Sequence, residues 1–181
     1  KAGDVLILGK GLGVGILGAA LNKDELDPHG YEVMVESCVK LNSVGADLAQ
    51  LDGVSAITDI TGFGLGGHLY EMCKGSGLGA TVQWDKLPLL DSAADYAQKG
   101  YNTGAANRNW DSFDAHVTVF DGIEQWQKNL LMDPQTSGGL MASCDAASVD
   151  EVLALFKSQG YGYASVVGEM REGEARVTVE A

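Results

Sequence analysis

Apolar and polar positions run along this chain in two rhythms. The clearest is helical. Met34, Cys38, Leu41, Val44, Leu48 and Leu51 recur at steps of three and four residues, which predicts one amphipathic helix from Tyr31 to Leu51, ended at Gly53. The same rhythm predicts helices at Ile16–Leu21, Leu65–Lys74, about Asp91–Lys99, Ile123–Met132 and Ser148–Ser158, with Asp91 and Ser148 as N-caps. Short apolar or alternating runs predict strands at Val5–Leu8, Val54–Thr58, Ala80–Trp84, His116–Phe120, Leu140–Ser143, Ala164–Met170 and Arg176–Val179. Gly104–Trp110, with Asn107, Arg108 and Asn109, is expected to be an irregular loop. Helices and strands intersperse without strict alternation. The expected class is therefore α+β, a mixed sheet packed with helices, rather than a purely parallel sheet.

Composition narrows the classes. The 181 residues suit one domain with a sizeable core. A formal net charge of −13 disfavours nucleic acid and anionic membranes as partners. No apolar run approaches the roughly 20 residues that cross a bilayer. Cys38, Cys73 and Cys144 are widely spaced, without a C-x-x-C pair, and read as small buried apolar residues in a reducing cytoplasm. The chain starts at Lys1 without a methionine or a signal-like segment, and a partner domain is expected upstream in a longer polypeptide.

Three segments carry candidate chemistry. Gly13-Val14-Gly15-Ile16-Leu17-Gly18 matches the G-x-G-x-x-G pattern between a strand and a helix. The loop is too long for a dinucleotide fingerprint, and no second strand ending in an acidic residue follows. Lys10 is followed by Gly11, which excludes a Walker A loop. The expectation is a loop crossing close to another backbone, with a phosphate nest as the weaker option. The second segment, Thr58-Asp59-Ile60-Thr61-Gly62-Phe63-Gly64, sets a carboxylate at the C-terminal end of what reads as a central strand. Magnesium takes oxygen ligands and keeps several waters, so one or two carboxylates suffice. Thr58 and Thr61 offer hydroxyls, and Gly62 and Gly64 permit close backbone approach. Spacing alone ranks Asp59 first as a cap of the following helix. His68 reads as a packed or hydrogen-bonded residue. The third segment, Asp133-Pro134-Gln135-Thr136-Ser137-Gly138-Gly139, reads as a helix stop and a tight turn into a strand.

Thr58-Asp59-Ile60-Thr61-Gly62-Phe63-Gly64-Leu65-Gly66-Gly67-His68-Leu69 and Asp133-Pro134-Gln135-Thr136-Ser137-Gly138-Gly139-Leu140 resemble two turns of the selenophosphate synthetases. Ile60 replaces the usual valine, and the similarity runs along most of the chain, including Arg108-Asn109. It departs at Gly9-Lys10-Gly11-Leu12-Gly13, where the family usually has T-K-P-L-G. The resemblance implies the C-terminal domain fold of the aminoimidazole ribonucleotide synthetase superfamily, as a single domain over residues 1–181. It also implies a cytoplasmic enzyme that converts selenide, ATP and water to selenophosphate, AMP and phosphate. Magnesium and ATP are the implied cofactor and substrate, and Asp59 the implied magnesium ligand. Thr58, Thr61, Asn109, Asp133 and Thr136 are implied to line the cleft. The ATP-binding segment, the catalytic cysteine or selenocysteine and the catalytic lysine belong to an N-terminal domain, so no catalytic residue is expected here, and Lys10 is not that lysine. A homodimer of the full-length enzyme and a selenide donor protein are the implied partners. The alternatives are another ATP-dependent enzyme of the superfamily, or a non-catalytic binding domain.

Overall fold

The computed structural model describes all 181 residues. Strand β1 (Val5–Leu8) leads through the glycine loop to α1 (Val14–Leu21), α2 (Pro28–Val39) and α3 (Val44–Leu48). Then follow β2 (Val54–Asp59), α4 (Gly64–Ser76), β3 (Gly79–Gln83), α5 (Ala93–Gln98), α6 (Gly104–Phe113), β4 (Val117–Val119) and α7 (Gln125–Leu131). The chain closes with β5 (Leu140–Cys144), α8 (Val149–Ser158), β6 (Ser165–Arg171) and β7 (Val177–Glu180). The strands form one seven-stranded sheet in the order β2-β5-β1-β6-β3-β7-β4. β5, β1, β6 and β3 pair antiparallel along the sheet, whereas β7 runs parallel to both β3 and β4. This is the mixed sheet that the sequence pattern predicts.

The two-residue period of the strands separates two cores. Leu6, Leu8 and Met141 share one cluster with Leu65, Leu69 and Met72 of α4 and with Leu131 and Met132 at the end of α7. Ile7, Ala142 and Cys144 join the other cluster, with Val44 and Leu48 of α3 and Val152 and Phe156 of α8. A third cluster joins α1, α2, α5 and α7 through Ile16, Leu17, Met34, Tyr96 and Leu130. Cys73 and Cys144 are buried, which pushes both thiols up to about 11, and Cys38 is half-buried with its thiol also raised by burial.

Five expectations need correction. The helix predicted over Tyr31–Leu51 is two helices, and the first begins at Pro28, capped by the Asp27 carboxylate accepting from Gly30 N–H. Lys40 takes an extended backbone because tertiary partners capture the carbonyls there. Lys10 Nζ donates to Ser37 O and Lys40 O, and the Tyr161 hydroxyl donates to Leu41 O. Leu41 consequently points away from the core and is 75% exposed. Gly104–Trp110 is not a loop but most of α6, started by the Thr103 side chain accepting from Ala106 N–H. Asp91 does not cap α5, since it accepts from the Tyr163 hydroxyl and pairs with His29. Ser148 sits at the cap position of α8, yet its side chain makes no cap bond, and Asp145 accepts from its N–H instead. β2 is an edge strand, not a central one.

Candidate functional site

Asp59 ends β2, opposite Leu140 of β5 in the antiparallel register. Its side chain is exposed and accepts no hydrogen bond from the protein. Helix α4 begins five residues further on, at Gly64, and Phe63 at its cap position offers no side-chain cap. The capping role that spacing alone favours is therefore not used, and the carboxylate is free.

The turn beneath it is held from several sides. Gly64 adopts a left-handed φ of +68°, and a Cβ there would lie 2.6 Å from the Met132 carbonyl carbon. His68 closes the turn from inside α4. Phe63 N–H donates to its Nε2 at 3.2 Å, which places the ring proton on Nδ1, and Nδ1 donates to Glu71 at 2.9 Å. The Thr61 hydroxyl lies 3.1 Å from the same Nε2. Asn109 Nδ2 donates to Gly62 O at 2.9 Å and to Met132 O at 3.0 Å, pinning the Asp59 turn to the end of α7.

The Asp133–Gly139 loop is the other support. Gln135 N–H donates to Thr61 O, and Ile60 N–H donates to Gly139 O. A Cβ on Gly138 would stand 1.7 Å from Ile60 O, so only glycine permits this approach. Lys10 Nζ donates to Ser137 O as well as to Ser37 O and Lys40 O at the end of α2, and Asn42 Nδ2 donates to Gly138 O. Lys10 is buried, and burial pulls its ammonium below the usual lysine range. It is a structural clamp, not a reacting amine.

The same loop caps α1 across more than a hundred residues of sequence. Gln135 Oε1 accepts from Gly13 and Val14 N–H, and Asp133 Oδ2 accepts from Gly15 and Ile16 N–H. All four orphan donors of the helix start are thereby satisfied. The place a phosphate would take in a dinucleotide loop is filled by protein. A Cβ on Gly13 would meet Ala93 Cβ at 2.4 Å, and one on Gly11 would meet Leu90 N at 2.9 Å, so these glycines serve close crossings. Asp133 is fully buried, and burial pushes its carboxyl up to about 7 against the pull of Gln135, Ile16 and Gly15 as donors. Its Oδ1 has no partner.

Of the residues expected around the site, Thr58, Asp59 and Thr61 lie together on one turn, with Asp59 exposed. Thr136 is exposed and faces a groove lined by α1, α2 and Thr103. Asp133 and Asn109 do not line a cleft in this chain, because both are buried and committed to backbone groups. Spacing misses the long-range cap of α1. Its signal is the absence of any Asp, Ser, Thr or Asn at Gly13, which means the cap must come from elsewhere.

Asp59 fits a hard cation in its chemistry, as an exposed, unpartnered oxygen donor beside two threonines. No group of three or more His, Cys, Asp or Glu side chains in the chain is arranged to hold a metal by itself.

A mixed-sheet α+β domain with one free carboxylate on a rigid turn is the class defined so far. The chain belongs to the family "AIR synthase related protein, C-terminal domain", whose model matches residues 1–180. It is similar to the selenide, water dikinase of Dechloromonas aromatica (strain RCB), with 55% identity over 179 residues, 99% of this chain and 51% of that protein. The chain thus spans about half the length of the curated relatives it matches. Among solved structures it is similar to Escherichia coli HypE, with a TM-score of 0.69 and 19% identity over 99% of this chain and 47% of that one. A hydrogenase maturation protein HypE in complex with ATP matches with a TM-score of 0.64 and 14% identity, covering 100% and 48%. The structural likenesses establish the shared fold.

Proposed function

We propose that this chain is the C-terminal domain of a selenide, water dikinase and forms one wall of its magnesium–ATP cleft. The observation that carries the reading is the Asp59 carboxylate, exposed and without a protein partner on a turn that is otherwise held by hydrogen bonds at nearly every residue. A free carboxylate on a rigid support is preorganised for a cation and loses little entropy on binding. Identity above one half to a selenide, water dikinase along 99% of the chain supports the substrate assignment.

Phosphoryl transfer depends on positioning and on neutralising phosphate charge. Magnesium, when bound, supplies that neutralisation. Asp59 would hold it, with Thr58 and Thr61 as nearby hydroxyls and the exposed Gly62 leaving room for a phosphate. His68, Asn109 and the Asp133–Gly139 loop are positioning residues for this turn. The nucleophile, the catalytic lysine and the remaining carboxylates come from an N-terminal domain outside these 181 residues, so the chain alone is inactive. No helix is long and apolar enough to cross a membrane. A cytoplasmic location, a homodimer of the full-length enzyme and a selenide donor protein complete the reading.

ATP consumption with and without selenide tests it. The full-length polypeptide is expected to show selenide-dependent turnover yielding AMP and phosphate, and the 181-residue chain none. Turnover by the isolated chain, or a full-length protein indifferent to selenide, contradicts the reading.

A further inference from the structure

The exposed large apolar side chains of this chain are unevenly placed. They are Leu21, Tyr31, Val35, Val39, Leu41 and Phe63. Tyr31, Val35 and Val39 follow one another at four-residue steps on α2 and therefore form a single row along the helix. Leu41 continues the row just beyond the helix end, and Leu21 closes α1, which packs against α2. Val39 and Leu41 are 68% and 75% exposed. The face of a surface helix turned to water ordinarily carries polar residues, and a contiguous apolar row is the mark of a covered surface.

The row also runs into the candidate site. Val39 and Leu41 flank Lys40, whose carbonyl accepts from Lys10, and Lys10 also holds Ser137 O. Asn42 donates to Gly138 O, and Gly138 lies directly against Ile60, next to Asp59. Phe63, on the Asp59 turn itself, is 45% exposed. An apolar surface thus approaches the free carboxylate along α2, and another apolar side chain stands beside it.

The geometry points to one occupant: the Tyr31–Val35–Val39–Leu41 row is the seat on which the other half of the full-length polypeptide packs, closing the cleft at Asp59 along this line. Two observations favour that half over a foreign partner. The relatives are about twice the length that this chain covers, so a comparable mass of polypeptide is available in the same molecule. The row is continuous with a site whose single free carboxylate needs further ligands from outside the chain. The inference rests on the reading of Asp59 as half of an interdomain site.

Hydroxyl-radical footprinting of the full-length protein, read by mass spectrometry, tests it. Tyr31, Val39 and Leu41 are expected to label several-fold more slowly in the native protein than after unfolding in urea, at every protein concentration used. The double substitution Val39→Lys with Leu41→Lys is expected to restore labelling at Tyr31 and to speed limited proteolysis between the two halves several-fold. Because both side chains are largely exposed here, the substitutions leave the packing of this domain intact, and an unchanged circular dichroism spectrum checks that. Native labelling at the unfolded rate overturns the inference. Protection that appears only at concentrations where sedimentation shows further association also overturns it, in favour of a second copy. The footprint requires no turnover, so a full-length protein that lacks selenide-dependent ATP consumption but protects the row would contradict the functional reading and leave the interface standing.

Discussion

Replacing Asp133 with Asn isolates the cost of burying a carboxylate at the start of α1. The native side chain is fully buried, one oxygen accepts three N–H donors, and the other has no partner. Burial pushes its carboxyl up to about 7 from the ordinary 3.8. A carboxyl whose folded pKa is raised binds its proton more tightly in the folded state. Its contribution to stability is therefore greatest below about pH 4, declines as pH rises from 3.8 towards 7, and is level above that. At 1.36 kcal/mol per unit, the charged form costs roughly 4 kcal/mol at high pH, of which about 2–3 kcal/mol develops between pH 5 and 8. Asparagine has nearly the same shape and keeps an oxygen to accept from Gly15, Ile16 and Gln135, without the charge. The stability of Asp133→Asn minus that of the native chain should then grow by about 2–3 kcal/mol from pH 5 to pH 8. Urea unfolding at half-unit pH steps, with the m-value held constant as a check on the denatured state, measures the difference, and the other titrating groups cancel. A difference that is flat in pH, or that moves against the variant as pH rises, refutes the reasoning. It would mean that the helix start and Gln135 repay the buried charge in full.

Three further perturbations address the supports of the Asp59 turn. Gly138→Ala drives a methyl into Ile60 O and should destabilise the chain by roughly 2–4 kcal/mol in urea unfolding, or else displace the turn and abolish activity of the full-length protein. Lys10→Met leaves the carbonyls of Ser37, Lys40 and Ser137 without their donor, so a loss of about 2–4 kcal/mol is expected, seen as a lower unfolding midpoint. Gln135→Leu frees the N–H groups of Gly13 and Val14 and should cost about 1–3 kcal/mol, with faster amide exchange confined to the first turn of α1.

What the sequence makes legible is local. The strand Val5–Leu8 and the helices predicted at Leu65–Lys74 and Ser148–Ser158 are written in nearest-neighbour chemistry, and each stands within two residues of where the pattern predicts it. Gly77, for example, ends α4 in a left-handed conformation that glycine adopts freely. Contacts between distant segments are not legible in this way. Nothing in Lys40 to Ser43 forbids a helix, and α2 and α3 separate because Lys10 and Tyr161, distant in sequence, bind the carbonyls of Ser37, Lys40 and Leu41. Asp133 and Asn109 stand in motifs that mark the family, yet their work is to cap α1 and to fasten Gly62. A motif records that a residue matters without saying whether it faces a ligand or the backbone. Asp59 is the reverse case. Its position favours a cap, and only the absence of any bond to α4 separates the ligand role from that one.

The central claim is that this free carboxylate belongs to the magnesium site, and Asp59→Asn in the full-length protein tests it most directly. Because Asp59 is exposed and bonded to nothing in the chain, the substitution should leave the urea midpoint unchanged. Selenide-dependent ATP consumption at saturating magnesium should fall by about a hundredfold or more. An equally folded variant that retains its turnover would contradict the account.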